Sequence, residues 1–266
     1  MKRIRERLMR VRARFAFPVL GAAMGLATLG TGLERTAFLG EAAGVEQVAS
    51  TTVVSSTLGT FKSDLATITH VSAPMAPVAT LDSGMEHARI DKWVTRLTTT
   101  LRRDFSQSLQ RMAKYEDMIN TKLDAKGMPR ELIYLALIES NFDPTAKSPV
   151  KAVGMWQFMS ATARQFGLAV RGKLDERKDP AKATDAALAY LSQLHNRFGS
   201  WYLAAAAYNS GQGTVSKALR TVTGKTTGTD ADFFRILPRL PRETQDYVPK
   251  LIASARVGSD RAKYGM

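Results

Sequence analysis

Cysteine is absent from this 266-residue sequence. The chain therefore has no disulfide bond, no thiolate metal site, no cysteine nucleophile and no lipid-modified cysteine. Regular alternation of apolar and polar residues is also missing after residue 84, so we expect a domain that is all or mainly α-helical. The basic residues are scattered and form no recognised nucleic-acid-binding motif, which excludes nucleic acid as the expected partner.

The net charge of +14 has two separate sources. Residues 1–14 contain seven basic side chains and one acidic side chain, and residues 127–266 contain 20 basic and 12 acidic ones. The first basic cluster precedes Phe15–Leu33, a stretch of nineteen residues without a charge. This order is typical of a secretory signal peptide or a short membrane anchor, and a buried helix of a soluble protein is the alternative.

We therefore predict that residues 1–40 direct export, either as a cleaved signal peptide or as an anchor in the cytoplasmic membrane. The protein would then be periplasmic or attached to the outer side of that membrane. Residues 41–83 are rich in Ser, Thr, Val, Ala and Pro without a helical period, which predicts a flexible linker. A short β-hairpin in the Thr/Val run of this segment is the alternative.

Order is expected to begin near Gly84. Apolar residues then recur every three or four positions, which predicts one long amphipathic helix within residues 84–126 that packs on the following domain. The apolar positions are Ile90, Trp93, Leu97, Leu101, Phe105, Leu109 and Met112.

Residues 127–258 carry the signals of a helical domain. Asp179 and Pro180 are typical of a helix start and Gly199 of a helix end. Further helices are predicted from Pro129 to Glu139 and over residues 156–166, 201–209, 214–222 and 243–257, with Pro249 delaying or kinking the last one.

Glu139 is the strongest candidate for chemistry. It ends an apolar run, Leu132–Ile138, at the expected carboxyl end of a helix. Burial and the negative end of the helix dipole both raise the pKa of such a carboxyl group, and a protonated acid is what general-acid cleavage of a glycosidic bond requires. A purely structural role, in an ion pair or a turn, is the alternative. Asp143 is not assigned to the chemistry, because Pro144 follows it and indicates a turn.

Two other clusters suit a polar, sugar-like ligand. In the first, Gly154 allows close backbone approach and Gln157 offers both a hydrogen-bond donor and an acceptor. In the second, Tyr208 and Asn209 end a helix just before Gly211. Taken singly, each cluster has an equally good structural explanation.

Together these motifs resemble the transglycosylase SLT domain of the lytic murein transglycosylases, the family 23 glycoside hydrolases. The pattern is most similar to the membrane-bound lytic murein transglycosylase D group. The residues that carry the resemblance are Gly127–Leu132, Glu139–Ser140, Gly154–Phe158, Asp175–Pro180, Ala207–Asn209, Leu240–Thr244 and Tyr247–Pro249.

The resemblance implies a lysozyme-like α-helical fold and cleavage of peptidoglycan strands without a cofactor or a metal. The implied catalytic residue is Glu139, which would protonate the bond between N-acetylmuramic acid and N-acetylglucosamine. It would then accept the proton of the muramic C6 hydroxyl as this attacks C1, leaving a 1,6-anhydro end. The implied substrate-binding residues are Ser148, Gln157, Tyr208, Asn209, Glu243 and Tyr247.

Two other functions remain open on the same motifs. One is a hydrolytic muramidase of the goose-lysozyme type, and the other is a non-catalytic protein that binds peptidoglycan as a scaffold. The basic residues after position 127 suit an acidic wall polymer as partner. No peptidoglycan-binding repeat follows residue 257, so we expect wall binding to depend on the cleft, on charge or on another protein.

Overall fold

The computed structural model describes residues 80–82 and 84–266, so the predicted export segment and nearly all of the predicted linker lie outside the described residues. Helices dominate the described chain, as predicted. The α-helices are α1 Ala88–Thr98, α2 Arg102–Met112, α3 Glu116–Asp124, α4 Ile133–Ser140, α5 Ser160–Gln165, α6 Pro180–Phe198, α7 Trp201–Ser210, α8 Gln212–Thr223, α9 Asp230–Ile236 and α10 Arg242–Ser259. Across these described residues, no helix has the combined length and apolar character needed to span a membrane.

Three 3₁₀ turns and one small hairpin complete the described part of the chain. The turns are Arg130–Leu132, Glu176–Lys178 and Leu237–Arg239. Strands β1 Val170–Arg171 and β2 Leu174–Asp175 pair antiparallel. Two-residue strands are too short to show an alternating pattern, which is why the sequence did not reveal them.

The single long helix predicted within residues 84–126 is wrong, since the structure divides this segment into α1, α2 and α3. The first break falls at three consecutive threonines. Their side chains bond back to the helix, with 2.9 Å from Thr98 Oγ1 to the Val94 carbonyl and 2.6 Å from Thr99 Oγ1 to the Thr95 carbonyl. Such bonds and the stiffness of β-branched residues favour a helix end. The apolar positions were nevertheless predicted correctly, because all of them are buried.

Helix α6 shows the end signals that the sequence predicted. The Asp179 side chain accepts hydrogen bonds from the backbone N–H groups of Ala181 and Lys182, both at 3.0 Å, and Gly199 ends the helix with a φ of 76°. The helix expected over residues 156–166 begins only at Ser160. It cannot begin earlier because Gln157 has a φ of 50°, which a right-handed helix does not accommodate.

Helix α7 lies at the centre of the core. Its residues Tyr202–Ala207 are completely buried, and four of the six are alanines. Small side chains allow neighbouring helices to approach closely, and α7 packs against α6, α8, α9 and α10. The last helix, α10, also packs along α1 and contacts α4. It thus joins both ends of the described domain.

Helix α10 is held in place near its carboxyl end by an ion pair and by close packing. Near its carboxyl end, the Arg256 guanidinium binds both carboxylate oxygens of Asp82, with 2.9 Å from Nη2 to Oδ1. In the same region Gly258 lies against Tyr134 of α4, and a Cβ at this position would be 2.2 Å from the Tyr134 hydroxyl oxygen. Pro249 lies inside the helix without delaying its start at Arg242.

The contact between Gly258 and Tyr134 leads to a prediction about stability. Gly258→Ala should lower the free energy of unfolding by about 1–3 kcal/mol, because the added methyl group overpacks the α4–α10 contact. Chemical denaturation followed by circular dichroism would measure the change.

The matched control is Gly213→Ala in α8, where an added Cβ meets no atom within 4 Å. It should leave stability unchanged or raise it by up to about 1 kcal/mol, since Ala favours helix over Gly. Equal effects of the two substitutions would contradict the packing explanation.

Candidate active site

Glu139 is the penultimate residue of α4, at the point where the helix ends. The next residue but one, Asn141, ends α4 in a left-handed conformation with a φ of 55°. Helix α2 fixes this turn: Arg111 Nε donates a hydrogen bond of 2.6 Å to the Asn141 carbonyl, and Ser108 Oγ donates one of 2.9 Å to Asn141 Oδ1. The backbone that carries Glu139 is therefore held rigidly from the α2 side.

The carboxyl group of Glu139 is bonded to the last helix. The Tyr247 hydroxyl of α10 donates a hydrogen bond of 2.6 Å to Glu139 Oε1. The pKa of Glu139 is raised to about 7, mainly because burial disfavours the charged form. The Tyr247 bond opposes this rise, the negative charge of Glu243 adds to it, and the positive charge of Lys250 opposes it. The predicted upward direction is confirmed, and Glu139 has the protonation behaviour of a general acid near neutral pH.

A tight loop over residues 146–158 is bonded to the end of α4, next to Glu139 in the sequence. Gly154 has a φ of 87°, and a Cβ there would lie 1.8 Å from the Arg177 carbonyl oxygen, so only glycine fits. Gln157 folds back on the loop, with its Nε2 donating a hydrogen bond of 2.7 Å to the Gly154 carbonyl. The loop conformation is thus fixed by its own backbone and by the chain around Arg177.

Two helices hold this loop through its backbone carbonyls. Ser140 Oγ at the end of α4 donates a hydrogen bond of 2.8 Å to the Met155 carbonyl. The Tyr208 hydroxyl of α7 donates one of the same length to the Trp156 carbonyl. The Trp156 indole is completely buried and donates its Nε1–H to Thr184 Oγ1 at 3.0 Å. The loop, Glu139 and the end of α7 therefore form one connected unit.

Asn209 connects the end of α7 to α10. Its Nδ2 donates a hydrogen bond of 3.1 Å to Glu243 Oε1, and its Oδ1 accepts one of 2.8 Å from Thr244 Oγ1. The pKa of Glu243 is raised by burial, while the hydrogen bond from Asn209 opposes the rise. Asn209 thus orients a second carboxyl group close enough to influence Glu139 electrostatically.

The structure brings most of the predicted site residues together. Direct hydrogen bonds join Glu139 to Tyr247 and Asn209 to Glu243, while Tyr208 and Gln157 hold the loop beside Glu139. Ser148 is different, since its Oγ accepts a local hydrogen bond of 3.0 Å from the Ala152 N–H. Its predicted contact with a substrate N-acetyl group stays a prediction, as do the substrate roles of the other residues. Asp143 lies in a turn, where its Oδ1 accepts a hydrogen bond of 2.8 Å from the Thr145 N–H.

Two charged residues of this region had no role predicted from the sequence, Arg177 and Lys250. Arg177 is buried and donates hydrogen bonds to Asp175 and to the Phe158 carbonyl of the loop, the latter at 3.0 Å. Lys250 is also buried, on the same face of α10 as Glu243 and Tyr247. Tyr247 follows Glu243 by four residues and Lys250 follows Tyr247 by three, and this helical spacing could have identified Lys250 from the sequence. Over residues 80–82 and 84–266, no three His, Asp or Glu side chains are grouped as a metal site.

Comparison with known proteins agrees with this geometry. Residues 117–230 match the family model of the transglycosylase SLT domain. The membrane-bound lytic murein transglycosylase D of Escherichia coli K12 is 40% identical over 157 residues, which cover 59% of this chain and 34% of the relative. The soluble lytic murein transglycosylase of the same strain is 30% identical over 146 residues, covering 52% of this chain and 22% of the relative.

The fold has a counterpart among solved structures. A complex of the 70-kDa soluble lytic transglycosylase with bulgecin A superposes with a TM-score of 0.50 and 24% identity, covering 65% of this chain and 28% of the other. The resemblance found in the sequence is therefore confirmed. This chain spans only about a third of the length of the D-type relative.

The bond between Tyr247 and Glu139 leads to a prediction that needs no substrate. Tyr247→Phe should raise the pKa of Glu139 further, because it removes a hydrogen bond that favours the carboxylate. It should also lower the free energy of unfolding by about 1 kcal/mol. The pKa would be measured by NMR titration of ¹³C-labelled glutamate carboxyl groups, and the stability by urea denaturation.

Tyr264→Phe near the carboxyl end of the chain is the matched control, because that tyrosine is only partly buried and lies outside the site. An unchanged Glu139 pKa in Tyr247→Phe would show that the bond does not influence the acid.

Proposed function

The chain is related to the lytic murein transglycosylases through the SLT domain over residues 117–230, and from this relationship we propose that it cleaves peptidoglycan as a lytic transglycosylase. The single observation that carries the proposal is the Glu139 carboxyl group, held by Tyr247 and with a pKa raised to about 7. The proposed bond is the β-1,4 linkage between N-acetylmuramic acid and N-acetylglucosamine, and the product carries a 1,6-anhydromuramic end.

The proposed reaction uses one carboxyl group in two steps. Protonated Glu139 first donates its proton to the glycosidic oxygen as the bond to C1 breaks. The Glu139 carboxylate then accepts the proton of the muramic C6 hydroxyl while that oxygen bonds to C1. Glu139 ends as it began, protonated, and no water is consumed. The second carboxyl group of the site, that of Glu243, accepts a hydrogen bond from Asn209 and is proposed to shape the sugar pocket.

We propose the remaining substrate contacts on the same basis. Gln157, Tyr208 and Asn209 would line the cleft, Tyr247 would orient Glu139, and Ser148 would contact an N-acetyl group. What supports these roles is that the first four lie on or hold the loop and helix ends around Glu139. Ser148 begins the turn of the same loop.

We also propose how the chain is organised and located. Residues 1–40 would act as a signal peptide or membrane anchor, 41–83 as a linker, 84–126 as packing helices and 127–258 as the catalytic domain. Export to the periplasm, with or without attachment to the cytoplasmic membrane, is supported by the basic residues that precede the uncharged Phe15–Leu33 stretch. The name of the D-type relative describes that protein as membrane-bound.

Glu139→Gln should reduce the release of 1,6-anhydro products from purified sacculi by about 10²- to 10⁴-fold, because the amide has no proton to donate. Mass spectrometry of the soluble products would measure the loss. Glu86→Gln, which changes an exposed carboxyl group, is the matched control and should keep full activity.

The nature of the products separates the alternatives. Reducing muramic ends from the wild type would indicate a hydrolytic muramidase. Binding of sacculi without any cleavage would indicate a scaffold. Either result would overturn the proposed function.

The pKa of Glu139 predicts a pH profile. The acid acts in its protonated form, so kcat/KM should be high below about pH 7 and fall about tenfold for each pH unit above it. Initial rates on sacculi between about pH 5 and about pH 9 would test this. A rate that stays level across that range would contradict the assignment of Glu139 as the acid, and the residual activity of Glu139→Gln should lack the falling limb.

A further inference from the structure

Lys250 is a buried cation in the wall of the site. Only 3% of its surface is exposed, whereas lysine side chains in proteins are almost always at the surface. Its ammonium nitrogen lies 5.5 Å from the centre of the Trp93 ring of α1. Burying an ammonium group costs several kcal/mol, and an apolar side chain would pack against Trp93 without that cost. Packing alone therefore does not account for a lysine here.

The position of Lys250 on α10 places it with the groups of the site. Glu243, Tyr247 and Lys250 follow one another at spacings of four and three residues, which puts them on one face of the helix. The first is bonded to Asn209 and the second to Glu139. Helices α1, α4 and α7 pack against α10, and α1 places Trp93 close to the lysine.

The charged groups that act on Lys250 come from three of these helices. Glu139 of α4 and Glu243 of α10 attract its positive charge, and Arg96 of α1 repels it. Burial lowers the pKa of Lys250 to about 8, so the ammonium form still predominates at neutral pH. Arg96 lies on the same Trp93 ring, with its guanidinium carbon 4.5 Å from the ring centre.

We propose that Lys250 is a positioning residue that stabilises the Glu139 carboxylate formed when Glu139 gives its proton to the glycosidic oxygen. This role rests on the proposed function, in which Glu139 must exist in both protonation states within one turnover. Burial and the nearby Glu243 both disfavour the charged state. Two groups of the same α10 face oppose them, because Tyr247 donates a hydrogen bond and Lys250 supplies the compensating charge.

Loss of the Lys250 charge would change the acid strength of Glu139 in one direction. A positive charge near a carboxyl group lowers its pKa, so removing the charge must raise the pKa of Glu139. A higher pKa means a weaker acid, which donates its proton more slowly. Replacing Lys250 by a neutral residue of similar length should therefore slow the reaction and shift its falling pH limb upward.

The experiment compares Lys250→Met with the wild-type full-length chain. NMR titration of ¹³C-labelled glutamate, with the Glu139 signal identified by its loss in Glu139→Gln, should show a Glu139 midpoint higher by about one pH unit or more. The kcat on sacculi at pH 6 should fall roughly three- to tenfold. The falling limb of the rate should move upward by the same amount as the NMR midpoint.

Three further variants complete the design. Lys250→Arg keeps the charge and should retain the wild-type Glu139 midpoint, whereas Lys250→Gln should behave like Lys250→Met. Lys217→Met removes an exposed charge on α8 and should change neither the midpoint nor the rate. Near-ultraviolet circular dichroism would confirm that each variant is folded. If Lys250→Met does not fold, Lys250→Gln gives the same comparison.

The outcomes separate the role of Lys250 from the proposed function. A wild type that releases no anhydro product overturns the function, and this is read from the wild type alone. An unchanged Glu139 midpoint in the neutral variants overturns the role of Lys250, whether or not the wild type lyses sacculi. A shift confined to Glu243 would also overturn it, as would a lower rate without any movement of the falling limb.

Discussion

The hydrogen bond between Tyr247 and Glu139 joins two helices across 108 positions of the sequence. The rest of the domain holds these two helices in the positions that the bond requires. On one side, α2 fixes the end of α4 through bonds to Asn141. On the other side, α10 is packed along α1 and fastened to Asp82 through Arg256. A displacement of about 1 Å at either helix would break a bond of 2.6 Å. The environment of the acid is therefore a property of the whole fold and not of its local sequence.

When a single carboxyl group acts as acid and then as base, its protein environment has to accommodate both the neutral and the charged form. Burial favours the neutral state, and the Tyr247 hydroxyl and the Lys250 ammonium favour the charged one. A pKa of about 7 places the two states close in free energy at neutral pH. Paired carboxyl groups divide these tasks between two residues. In the proposed reaction, one carboxyl group performs both tasks, and the residues around it adjust its charge.

Local patterns in the sequence were sufficient to predict most of the helices and to identify Glu139 as the candidate acid. Asp179, Pro180 and Gly199 predicted the ends of α6, and the apolar run before Glu139 predicted both its helix and its raised pKa. The division of residues 84–126 into three helices was missed because the apolar spacing continues through the threonine break. The extension of the loop past Trp156 was missed because it depends on tertiary contacts, such as the hydrogen bond from Arg177, nineteen residues further along the chain, to the Phe158 carbonyl. The spacing of Lys250 from Glu243 and Tyr247 was visible in the sequence, but its burial was not, because the nearby Trp93 belongs to a helix far away along the chain.

Helix α10 is the last helix of the described chain, and it supplies Tyr247, Glu243 and Lys250. A polypeptide emerges from the ribosome with its N-terminal end first, so Glu139 appears long before any of these partners. Until α10 docks, Glu139 lacks the Tyr247 hydrogen bond and the charges of Glu243 and Lys250 that act on it in the folded domain. A chain without α10 would carry Glu139 without the three side chains that adjust its protonation. The order of the helices in the sequence thus makes the environment of Glu139 depend on the last helix of the described chain.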